Sequence, residues 1–88
     1  MANVLELFEE AISVARELGF MVREEPLGDL PGGACMANGK KQLLLNASMS
    51  PADQLDVLLK TIGGQSLCDI PLSGALTQRM ARVQHDAS

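Results

Sequence analysis

Gly32-Gly33-Ala34-Cys35-Met36-Ala37-Asn38-Gly39-Lys40-Lys41-Gln42-Leu43-Leu44-Leu45-Asn46 places two strand-forming runs on either side of Asn38-Gly39. Asn-Gly between such runs predicts a type I′ turn, because both central residues must take positive φ, which Gly adopts freely and Asn tolerates. A two-residue turn sets the register: Ala37 opposite Lys40, Met36 opposite Lys41, Cys35 opposite Gln42 and Ala34 opposite Leu43. Side chains alternate along a strand, so Ala34, Met36, Leu43 and Leu45 share one face while Cys35, Gln42 and Leu44 share the other. The first set is the expected core, with Met36, Leu43 and Leu45 buried near Phe20 or Val22. The second face needs a cover, either the C-terminal helix or another subunit.

Outward from the hairpin, both flanks read as helices. Asn3 followed by Glu6 has the form of a capping box, and Val4, Leu7, Phe8, Ala11, Val14, Ala15 and Leu18 recur at helical spacing until Gly19. Phe20 to Glu25 then reads as a strand ahead of Pro26, with Phe20 and Val22 on one face, and Leu27 to Pro31 as a loop. After the hairpin, Ser50-Pro51-Ala52-Asp53 is a helix start, with Leu55, Leu58, Leu59 and Ile62 on one stripe and Gly63-Gly64 as the stop. A third, shorter helix follows Pro71, carrying Leu72, Leu76, Met80 and Val83 at helical spacing and weakened by Gly74. The order is α-β-β-β-α-α. It predicts an α+β fold in which a three-stranded antiparallel sheet, strand plus hairpin, packs under two or three helices. Residues 1–83 form one domain and 84–88 a flexible tail.

Composition narrows the chemistry. The chain has 88 residues, 47% of them hydrophobic, with Phe8 and Phe20 as its only aromatics, so the core is aliphatic and platforms for stacking nucleobases are missing. Seven Lys and Arg against eleven Asp and Glu give a net charge of −4, which repels phosphate backbones and argues against nucleic acid as a partner. No apolar run approaches the ~20 residues of a spanning helix, so no membrane is expected either. The opening residues turn acidic at Glu6 with no basic segment before it. That pattern predicts a cytoplasmic, bacterial-type protein with Cys35 and Cys68 as reduced thiols, in which the sequon Asn46-Ala47-Ser48 has no use.

No catalytic or metal-binding set is complete. Gly33 to Lys41 lacks the glycine spacing and the Ser or Thr of a phosphate-binding loop, and a hairpin offers no helix N-terminus to hold phosphate. Cys35, Cys68 and His85 show no paired-ligand spacing, so no metal and no cofactor are expected. Glu9-Glu10 and Glu24-Glu25 are neighbours that point to different faces, which reads as solvated surface. Cys35 is the sharpest chemical candidate. A nucleophilic thiol needs a base, a cation or a helix N-terminus beside it, and a buried thiol without one is a small hydrophobe.

The landmarks Leu18-Gly19-Phe20-Met21-Val22-Arg23, Gly32-Gly33-Ala34-Cys35, Gly39-Lys40-Lys41 and Asp69-Ile70-Pro71-Leu72 resemble a grouping of short bacterial proteins with an acidic leading helix, a Gly-Gly-x-Cys hairpin and a leucine-rich helix. That resemblance implies the layout and no activity. More loosely, the chain is similar to the N-terminal half of ImmA/IrrE-type zinc peptidases, with Leu55 to Gly64 where their His-Glu-x-x-His helix falls. Both histidines and the glutamate are absent here, so the resemblance implies a metal-free relative without hydrolysis. Together these readings favour a non-catalytic interaction or self-association module over a thiol enzyme or redox sensor centred on Cys35. They predict a homodimer, or a complex with another protein, whose interface draws on Cys35 and Leu44, on the stripe Leu72, Leu76, Met80 and Val83, or on both.

Overall fold

The structure is a computed structural model that describes residues 3–65, 67 and 69–86, the last three by backbone alone. Its elements are α1 (Val4–Glu17), β1 (Met21–Glu25), β2 (Gly32–Ala37), β3 (Lys40–Asn46), α2 (Pro51–Gly63) and α3 (Gly74–Asp86), an α+β fold in the order expected. Asn3 caps α1 by accepting from the Glu6 N–H at 2.9 Å. Gly19, at φ +94°, ends it, with the Gly19 and Phe20 amides reaching back to the carbonyls of Arg16 and Ala15. Ser50 caps α2 through the Asp53 N–H.

The hairpin register is the one its turn dictates, with Ala37, Met36, Cys35 and Ala34 opposite Lys40, Lys41, Gln42 and Leu43. Asn38 and Gly39 both take positive φ, +53° and +76°.

The sheet departs from expectation in one respect: it is mixed, not antiparallel throughout. Strand order is β1-β3-β2, and β1 runs parallel to β3 with Val22 opposite Leu43 and Glu24 opposite Leu45. The reason lies in β3, the most apolar strand, whose Leu43-Leu44-Leu45 run gains most from a central position flanked on both sides. Residues 26–31 carry the chain from β1 past the end of β3 to β2, and β3 then folds back between the two.

The helices cover one side of the sheet. Leu43 and Leu45 are fully buried beneath Leu55, Leu58, Leu59 and Ile62 of α2 and the Leu7, Ala11, Val14 and Ala15 face of α1. Met36 is not part of this core. It is 67% exposed, because it lies one step from the turn on the edge strand, beyond the reach of the helix layer. Its cross-strand neighbour Lys41 lies over Phe20 instead, with Nζ 4.6 Å from the ring centroid.

The third helix corrects a second expectation. Leu76, Met80 and Val83 are buried within the chain itself, packed on α2 and α1, so they offer no surface to a partner, and α3 does not touch the sheet. Its start is fixed by a bond that no sequence spacing indicated. Ser73 donates its N–H and hydroxyl to the two carboxylate oxygens of Glu10 at 2.8 and 2.7 Å, while its Oγ accepts from the Leu76 N–H. Glu10 is thus a structural tie and not merely a solvated charge. The helix begins at Gly74, leaving Leu72 outside it but partly buried against the core.

Two outcomes follow from this packing. Leu76→Glu should lower stability by at least about 3 kcal/mol in urea titration, since it drives a carboxylate into a fully buried site. Gly39→Ala should cost about 1 kcal/mol from positive φ alone. Gly32→Ala should cost clearly more, because at φ +85° a Cβ would also collide with the Leu44 carbonyl oxygen.

Candidate functional site

The even positions of β3, namely Lys40, Gln42, Leu44 and Asn46, point away from the helices, together with their partners Met21, Arg23 and Glu25 on β1 and Ala37, Cys35 and Gly33 on β2. No described helix covers this side: α1 and α2 pack on the other, and among the described residues α3 reaches only helices. Met21 and Cys35 are exposed and Leu44 is half-buried. Of the two covers expected for this side, the C-terminal helix is therefore ruled out within the described chain, and Cys35 is exposed and not a buried hydrophobe.

What does cross this side is the loop between β1 and β2, and one residue holds it. Asn46 is 2% exposed and satisfies its whole amide: Oδ1 accepts from the N–H of Leu27 at 3.1 Å and of Ser48 at 2.9 Å, while Nδ2 donates to the carbonyls of Gly28 at 2.9 Å and Leu30 at 2.7 Å. Its own carbonyl accepts from Nε2 of the buried Gln54 at 2.8 Å, which ties the start of α2 to the end of β3. The asparagine of the sequon is thus consumed by the fold. Sequence reading missed it, and its only local signal was a polar residue ending an apolar strand.

Pinned in this way, the loop and the sheet enclose an open cleft of about 290 Å³ lined by Leu27, Leu30, Pro31, Gly32, Gly33, Ala34, Cys35 and Leu44. Its lining carries no charge. Leu30, at 64%, is among the most exposed large apolar side chains; Met36, also exposed, lies at the other end of β2, next to the turn. A smaller cleft between α2 and α3, about 150 Å³, is lined by Asp56, Lys60, Arg79, Arg82 and Val83, with Arg79 3.7 Å from Asp56.

Of the sequence candidates, the structure brings Cys35 and Leu44 to one surface and removes Leu76, Met80 and Val83 from it. Cys68 lies outside the described residues, as does the side chain of His85, so no described imidazole approaches Cys35. Among the described residues no three His, Cys, Asp or Glu side chains are placed to hold a metal ion. No described helix is long and apolar enough to cross a membrane. Comparison with family models, curated proteins and solved structures returns no match.

The grip on the loop is testable. Asn46→Ala leaves two N–H groups and two carbonyls without their partner and should destabilise by on the order of 3 kcal/mol in chemical denaturation. Asn46→Asp should recover little, because a carboxylate would face the Gly28 and Leu30 carbonyls.

Proposed function

We propose that this chain is a non-catalytic interaction module that associates with another protein, a second copy first of all, through the loop-and-β2 side of its sheet. The observation that carries the reading is the uncharged apolar cleft there, lined by Leu27, Leu30, Pro31, Cys35 and Leu44 with Leu30 exposed, while the apolar stripes of α2 and α3 are buried internally. A chain this short has few residues with which to cover both sides of a sheet, and symmetric self-association is the commonest remedy.

The rival thiol chemistry needs a base or cation to activate Cys35, and no described side chain is bonded to it. An alkylation rate that rises only in step with ordinary thiol ionisation fits the interaction reading; rapid alkylation well below that range would favour the thiol enzyme.

Light scattering on the intact chain should give twice the 9.4 kDa of one copy. Leu30→Asp should shift that mass toward a single copy without lowering the melting temperature, because Leu30 is exposed in the free chain. A single-copy mass for the unmodified chain at millimolar concentration ends the self-association reading.

A further inference from the structure

The two edges of the sheet are unlike. Edge strand β1, Met21-Val22-Arg23-Glu24-Glu25, carries three charges, two of them joined as Arg23–Glu25 at 2.7 Å, and charged edges resist pairing with other strands. Edge strand β2, Gly32-Gly33-Ala34-Cys35-Met36-Ala37, carries none. Among the described residues no strand pairs with its outer side.

The hydrogen-bond pattern shows what this edge offers. A two-residue turn makes Ala37 and Lys40 a hydrogen-bonded pair, and alternation then makes Cys35–Gln42 one as well. The odd positions of β2 point their N–H and C=O groups at β3, so those of Ala34 and Met36 point outward. The same parity holds across β3, where odd-numbered Ala47 donates its N–H to the Glu25 carbonyl on the β1 side at 2.9 Å. Among the described residues no group bonds to the outward amides or carbonyls of Ala34 and Met36.

We propose, building on the interaction reading above, that two copies join by antiparallel pairing of β2 with β2 about a two-fold axis at Cys35, forming one six-stranded sheet ordered β1-β3-β2-β2-β3-β1. Gly32 and Gly33, at φ +85° and +132°, leave the extended conformation, so the regular edge is Ala34 to Ala37. Centring on Cys35 pairs Ala34 of each copy with Met36 of the other, and each such pair exchanges both N–H···O bonds. The exposed Met36 side chain then lies against the small Ala34 of the second copy.

Charge selects a second copy over an arbitrary strand. Antiparallel pairing lays the hairpin tip of one copy, with Lys40, beside the loop of the other, where Asp29 is exposed and Leu30 supplies apolar contact. Each contact occurs twice, as an isologous interface requires. The assembled sheet ends at both sides in β1, whose charges stop further growth.

Cys35 reports the register directly. At the axis it faces its own copy in a non-hydrogen-bonded pair, where Cα atoms lie about 4.5 Å apart, inside the roughly 4.4–6.8 Å range that a disulfide spans.

The test uses the full chain carrying Cys68→Ser, so that Cys35 is the sole thiol. Expected are a dimer by sedimentation, amide exchange at Ala34 and Met36 slowed at least tenfold as concentration rises, and a covalent dimer on treatment with diamide, which accepts the two thiol hydrogens. Met36→Pro removes one outward N–H without touching the β3 ladder, and it should abolish all three while the melting temperature holds. A dimer whose Ala34 and Met36 amides exchange freely overturns the edge pairing and leaves the interaction reading standing. A dimer with slowed amides but no diamide link overturns the Cys35 register, and a monomer at all concentrations overturns both readings.

Discussion

The side-chain amide of Asn46 is the constraint on which the rest of this structure depends. Placing β3 between β1 and β2 obliges the connecting loop to pass the end of the central strand, where its backbone would meet buried carbonyls and amides with no ladder to join. One side chain at that end supplies two acceptor positions and two donors, and all four are taken by the loop and the turn that follows. Because the Asn46 carbonyl also receives the Gln54 amide, the same residue links sheet, loop and α2. A buried polar network of this kind confers register as well as stability, since no neighbouring residue of β3 could make the same set of bonds.

From that arrangement comes the asymmetry of the molecule. Helices α1 and α2 take the side presented by Leu43 and Leu45, and α3 packs its stripe on those two helices and not on the sheet. The other side is left to a six-residue loop, which covers one end of it. The edges divide likewise into a charged β1 and an uncharged β2. Exposed apolar surface, absence of charge and unpaired backbone groups coincide at β2, and that coincidence sets it apart from the scattered apolar residues every protein surface carries.

What the sequence determined by itself was everything governed by neighbours within a few residues. The Asn38-Gly39 turn, the Asn3 and Ser50 caps, the Gly19 stop and the stripes of α1 and α2 each rest on local backbone preference or on side-chain periodicity, and the structure reproduces them. The alternation of Leu43 and Leu45 against Leu44 followed from the turn, because a two-residue turn leaves no freedom of register. Only the tertiary structure decided the rest. A parallel β1–β3 pairing, the Ser73–Glu10 tie across 63 positions of chain, and the amide grip of Asn46 on residues 27–30 join segments whose sequences carry no mark of one another. The stripe of α3 was legible as apolar, but periodicity states that a face must be buried without stating against what. It buried on α1 and α2 because their combined surface was already apolar, and the far side of the sheet, with Cys35, was left open for the same reason.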